Sequence, residues 1–214
     1  MSAPTLLFAT GNSAKLQQFQ FVADAYAHAV RIESAYDRFP DLEPYPEDPT
    51  APPDTIARDG AAFIHRTIQQ PVAVEDTVIT IPYLVERGIT RRYASNEYLF
   101  GRGLEGVLDD MCDADRREAV IRSAVAYHDG DAIHVWTHDV AGRITHKQRY
   151  RPGEPIWVGP THDPMGGGYN VIVELEATGQ TLAEHTAEDG LTYGYREPNF
   201  RRLLSHWAAQ QTQD

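Results

Sequence analysis

The chain predicts a mixed α/β domain with an antiparallel extension, and three stretches carry that reading. The apolar run Thr5 to Ala9 breaks at Thr10-Gly11-Asn12 and passes straight into helical apolar spacing, a strand, tight turn and helix. Pro71 to Tyr83, PVAVEDTVITIPY, is a β-branched run of buried-strand length bounded by prolines. Arg117 to His128 and Ala132 to Thr137 flank Asp129-Gly130-Asp131, a hairpin signal.

In order, Thr5 to Ala9 is the first strand. The stretch after it, Ser13 to Ala29, has helical apolar spacing at Leu16, Phe19, Phe21, Val22 and Ala25, with Asn12 or Ser13 as the cap. Lys15 in its first turn and the free N–H groups at its start make an anion site, or else a plain turn with a solvated lysine. Arg31 to Pro53 carries six prolines and many acids and reads as a long loop. A helix follows over Asp54 to Ile68, with Arg58 available to a site. Inside the strand 71–83 stand two adjacent acids, Glu75 and Asp76. Burying them costs several kcal/mol unless each is paired or metal-bound, so they either serve a metal or catalysis or lie solvated in a turn. Arg87 to Gly103 reads as irregular, Leu104 to Met111 as a short helix, and Asp139 to Lys147 as a continuation of the sheet. Tyr150 to Gly168 is a second Pro/Gly loop, Tyr169 to Glu176 a β-type run, Thr181 to Asp189 the start of a helix, and Pro198 to Gln210 a final amphipathic helix.

Composition narrows the function. The 214 residues fit one domain, or one with a small lobe. A net charge of -12 argues against a nucleic-acid polymer, which needs a basic stripe, but not against a small phosphate ligand. One cysteine, Cys112, permits no internal disulfide and reads as a plain structural thiol. The N-terminal stretch lacks a signal-peptide pattern and no apolar run approaches the ~18 residues of a membrane span, so a cytoplasmic protein without a membrane partner is expected. The nine histidines, including His134 and His138 four apart on a strand, are read as unrelated to a site.

Taken together, FATGNSAKLQQF at 8–19, VAVEDT at 72–77, Gly166-Gly167-Gly168-Tyr169-Asn170, Gln180-Thr181-Leu182-Ala183-Glu184 and Gly194-Tyr195-Arg196 resemble, in order and spacing, the inosine triphosphate pyrophosphatase family. The resemblance runs from residue 5 to about 207. It implies a single domain, 1–214, of two α/β lobes about a long mixed sheet with a nucleotide cleft between them, dependence on Mg²⁺ (or Mn²⁺), and a homodimer. It implies hydrolysis of a nucleoside triphosphate to monophosphate and pyrophosphate. On that likeness Asp76 activates water or holds metal, Glu75 is its neighbour on the metal, and Glu43 or Glu47 completes the metal site. Lys15 with Thr10, Gly11, Asn12 and Ser13 holds phosphate. Arg58, Thr77, Tyr93, Gly168, Tyr169, Asn170, Tyr195 and Arg196 line the substrate.

The chemistry stands without the likeness, because splitting a phosphoanhydride needs carboxylate-held metal with Lys and Arg on the phosphates. The chain departs from the family where the base is read. Gly167 replaces a stacking aromatic, Asn170 an aspartate, Tyr195 a histidine and Gly190 a phosphate-contacting lysine. A changed base specificity is therefore expected, with Tyr93, Trp157, Tyr169 or Tyr195 supplying the stacking face. The loop 150–165, with Trp157, His162 and Asp163, is a specificity lid or a tolerated insertion. The alternatives are a non-catalytic nucleotide-binding or regulatory protein and a hydrolase of another nucleotide bond, such as the glycosidic one.

Overall fold

The computed structural model describes residues 3–26, 28–93, 95–159 and 168–211, without the side chains of 95–97 and 100. The elements are β1 Thr5–Phe8, α1 Ser13–Ala25, β2 Arg31–Ser34, α2 Ala35–Arg38, α3 Pro53–Ile68, β3 Val72–Thr80, α4 Pro82–Glu86, α5 Ser95–Asp110, β4 Glu118–His128, β5 Ile133–Ile144, β6 Val173–Leu175, α6 Ala187–Tyr193 and α7 Glu197–Gln211. The strands form one mixed sheet in the order β2-β1-β3-β4-β5-β6, with β1 parallel to β2 and β3, and β6 antiparallel to β5. The mixed α/β expectation holds.

The chain divides into two compact units, one of residues 1–76, 123–138 and 196–214, the other of 77–122 and 139–195. Each has its own core. In the first, Leu7, Ala57, Ala61, Ile64, Val72 and Val74 pack together. Elsewhere in that unit Phe19 stacks on Phe200 at 4.3 Å and both meet the edge of Phe8, which fixes α1 against α7. In the second, Ile79, Leu84, Val107, Ile121, Ile172 and Leu182 form the core. The buried guanidinium of Arg117 beside it donates to the carbonyls of Met111, Ile144 and Thr145.

Several sequence expectations need correction. Arg31 to Arg38 is not loop: Arg31-Ile32-Glu33-Ser34 pairs in parallel with β1, and α2 follows at once, capped by Ser34. The strand is only four residues and its one fully buried apolar side chain is Ile32, so no alternation announced it. Residues 95–103 are not irregular but the first half of α5, which kinks at Gly103 (φ +67°, ψ 169°), a conformation costly for any side chain. The run 169–176 begins as a 3-10 turn, Gly168–Val171, and only Val173–Leu175 is strand. The first helix ends at Ala25, earlier than its apolar spacing suggested. Ala132 to Lys147 is one long strand, Ile133–Ile144, where two pieces were expected.

Candidate functional site

The site grows from the parity of β3. Successive strand residues face opposite sides of a sheet, and on β3 both acids are buried, Glu75 at 3% exposure and Asp76 at 7%. They lie within the strand, so the reading of a solvated turn falls. Glu75 shares its side with Ala73, whose register partner is Phe8, and so faces α1 and α7. Asp76 shares its side with Val72 and Val74, and so faces α3 and the core under the proline-rich loop.

On the first side, α1 and the residue just before α7 deliver two cations to one carboxylate. Glu75 Oε2 lies 2.9 Å from Lys15 Nζ and 3.2 Å from Arg196 Nε, while Ser123 Oγ donates to Oε1 at 2.9 Å. Lys15 also donates to the Glu75 carbonyl at 3.1 Å. Ser123 is itself fixed, since Asn199 Nδ2 donates to its carbonyl at 3.0 Å. Arg196 reaches Gln18 Oε1, and Gln18 donates to Glu197 Oε1 at 2.6 Å. The turn before α1 is capped by Asn12, whose Oδ1 takes the N–H groups of Ala14 and Lys15. A Cβ on Gly11 would meet nothing within 4 Å, so space beside the turn is open.

Burial pushes the Glu197 carboxyl up, against the hydrogen bond from Gln18 that pulls it down. With the folded value above the unfolded one, the folded state holds the extra proton between them, and stability falls as pH rises through that window. Urea unfolding from about pH 5 to pH 8 should show this decline in the wild type and lose it in Glu197→Gln. Parallel curves for the two would refute it.

On the second side, Tyr45 reports what surrounds Asp76. Burial first, then the charges of Glu47 and Asp76, push the Tyr45 hydroxyl far above its ordinary value, and Glu47 is also its hydrogen-bond partner. Glu47 and Asp76 therefore both act on the Tyr45 hydroxyl. Glu43 and Glu47 are both exposed, as is Arg58 on α3. Tyr45 is seated by α3: a Cβ on Gly60 would lie 2.9 Å from its ring carbons. Gly60→Ala gains about 1 kcal/mol of helix propensity and meets overpacking of about 1–3 kcal/mol. A net loss of roughly 1 kcal/mol in urea unfolding is expected, and a variant more stable than wild type would show that the ring is not seated there.

The remaining predicted residues lie in the second unit. Thr77 is half-buried on β3, and Tyr93 is half-buried under the Arg92 guanidinium, 5.5 Å from its ring centroid. Gly168 takes φ +51° at the start of its 3-10 turn. Tyr169 and Tyr195 are packed into that unit's core, so neither presents an open ring face. Asn170 is buried and donates to the carbonyls of Trp157 and Val158 at 3.0 and 3.2 Å, which ties down the turn before residue 160. The Thr181-to-Glu184 motif is a capping box, with Glu184 Oε2 accepting from Thr181 N at 2.8 Å and pairing with Arg149. Gly166, Gly167, His162 and Asp163 lie outside the described residues. Cys112 is exposed rather than buried structure.

The sequence reading missed one constellation. His134 is grouped not with His138 but with Asp129 and His206, because β5, the hairpin turn and α7 meet there. His206 stands 72 residues from His134, so no local spacing could have shown it.

The profile of the Ham1 family matches residues 6–206. A dITP/XTP pyrophosphatase of Methanopyrus kandleri is 29% identical over 200 residues, covering 92% of this chain and 93% of the relative. One of Hyperthermus butylicus is 24% identical over 217 residues, covering 98% and 97%. The solved Ham1 proteins of Coxiella burnetii and Staphylococcus aureus superpose with TM-scores of 0.67 and 0.65 at 17% and 16% identity, each covering 96% of this chain and 99% of the other. At that identity they speak for the fold.

Proposed function

We propose, for a chain that belongs to the Ham1 family, that it is a nucleoside triphosphate pyrophosphatase: water attacks the α-phosphorus, the bond to the β-phosphate oxygen breaks, and monophosphate and pyrophosphate leave. The names of its dITP/XTP pyrophosphatase relatives support the reaction class. The observation that carries it in this molecule is the step from Glu75 to Asp76, where cations gathered on one side of β3 adjoin a carboxylate neighbourhood on the other. The step adjoins the carboxyl end of the parallel strand β1, where Phe8 pairs with Ala73, and such ends are where open α/β sheets take ligands.

The buried Asp76 and the loop Glu47, which both act on the Tyr45 hydroxyl, are hard oxygen donors of the kind that Mg²⁺, or Mn²⁺, takes. Bound there, the ion would neutralise phosphate charge. Glu75, whose oxygens already serve Ser123, Lys15 and Arg196, anchors the two cations rather than the metal. Lys15 and Arg196 take the phosphates as charge develops on them, and Asp76 orients the water and accepts its proton.

Base specificity differs from that for inosine and xanthosine. Asn170 spends its donors on the carbonyls of Trp157 and Val158 and keeps only its Oδ1 to offer, and Tyr195 lies in a core, so the contacts of the family's aspartate and histidine are not reproduced. The enzyme is a homodimer of the cytoplasm. Among the described residues no helix is long and apolar enough to cross a membrane. Pyrophosphate release with Mg²⁺ over a panel of standard and non-standard nucleoside triphosphates tests both statements. Release confined to a few nucleotides other than the inosine and xanthosine forms is expected. Full activity on those two would sink the altered specificity, and free base as the product would mean a different bond is cut. No release on any nucleotide, with stabilisation by one, would make the chain a nucleotide-binding protein.

A further inference from the structure

Asp129, His134 and His206 share no residue with the site above, yet they converge. Both imidazole Nε2 atoms approach the same carboxylate oxygen, Asp129 Oδ2, at 2.7 Å from His134 and 3.9 Å from His206. One ligand atom from each of the three residues lies within 4.8 Å of the other two. The His206 Nε2 is enclosed and has no hydrogen-bond partner among the described residues. The carboxylate is aimed from behind, because its Oδ1 accepts from the N–H groups of Asp131 and Ala132 at 2.9 and 2.8 Å. Gln210 Nε2 donates to Oδ2 at 2.9 Å, a second support from α7.

We propose that Asp129, His134 and His206 form a binding site for a borderline divalent transition metal, Zn²⁺ being the best fit, which ties α7 to the β4–β5 turn. Two imidazoles and a carboxylate are a three-residue zinc donor set, with water as the fourth ligand. Zinc bonds of ~2.0–2.1 Å in a tetrahedron place ligand atoms ~3.3 Å apart. The two measured separations bracket that figure, so the ion enters by lengthening the His134 contact and shortening the His206 one. A third of the His134 side chain and 29% of the His206 side chain are exposed, which leaves an entry path and room for water. Magnesium does not suit the site, since imidazole is a poor ligand for it. The backbone hydrogen bonds to Asp129 and the Gln210 amide are the outer support such sites need.

The test is titration of the metal-stripped full chain with ZnCl₂ and CoCl₂ in excess Mg²⁺, beside the His134→Gln/His206→Gln double variant and a His65→Gln control. The wild type and the control should take up one tight equivalent of Zn²⁺ per chain and show the visible d–d absorption of imidazole-bound Co²⁺. The double variant should bind roughly 100-fold or more weakly, since loss of even an outer partner costs roughly 10–100-fold. Zinc should also raise the melting temperature of the wild type and not of the double variant, as expected for a ligand of the folded state. No tight equivalent in the wild type, or equal uptake by the double variant, overturns the site. Should the double variant fail to fold, the histidine NMR signals of the folded wild type decide: zinc-dependent shifts at His134 and His206 support the site, and shifts confined to other histidines overturn it.

Discussion

Asp76→Asn is expected to release pyrophosphate about 10³-fold more slowly than the wild type, the middle of the range for a lost general base. The exchange keeps the size of a side chain that is 7% exposed and removes only its charge and its ability to take a proton. Folding should survive, because a neutral amide costs less to bury than a carboxylate. The two roles assigned to Asp76 separate in the kinetics. If it acts only as base, kcat falls with KM nearly unchanged. If it also holds Mg²⁺ with Glu47, the variant needs far more Mg²⁺ for half-maximal rate, and Glu47→Gln repeats that shift with a smaller loss of kcat. Release within a few-fold of the wild type, in a folded variant saturated with Mg²⁺, would remove Asp76 from the chemistry.

Much of this was readable in the sequence because it is local. The glycine turn into α1 with its Asn12 cap, the buried acids of β3 and the amphipathic final helix each announce themselves within a dozen residues. What could not be read is set by contacts distant in sequence. β2 exists because Ile32 and its neighbours lie beside β1, not because four residues prefer strand. Glu47 bears on the Tyr45 hydroxyl, and Tyr45 rests on Gly60 of α3, a contact no local pattern shows. Parity could have told that Glu75 and Asp76 face opposite layers, but only the structure says which helices wait on each side. Asn170 ties down a turn and Tyr195 packs into a core, contacts that their motifs do not announce.

Glu75→Gln is expected to cost about 3–5 kcal/mol of stability, the range for removing one partner of a buried ion pair. The amide preserves shape but leaves the Lys15 ammonium and the Arg196 guanidinium converging on a neutral group. Arg196 is 9% exposed, and Gln18 Oε1 accepts from its NH1 at 3.3 Å, so water screens its charge poorly. Lys15, with 17% of its side chain exposed, can partly turn to water, which places the loss toward the lower end. Lys15→Met separates the alternatives. If the cluster acts as a unit, the Glu75→Gln/Lys15→Met double variant loses clearly less in urea unfolding than the sum of the singles, because the second change removes a charge the first left stranded. Additive losses, or a Glu75→Gln loss below about 1 kcal/mol, would mean that Glu75 does not anchor the cations. Magnesium decides its remaining role: unchanged Mg²⁺ affinity in Glu75→Gln, beside a lost one in Asp76→Asn, confines metal binding to the other side of β3, where Asp76 and Glu47 stand.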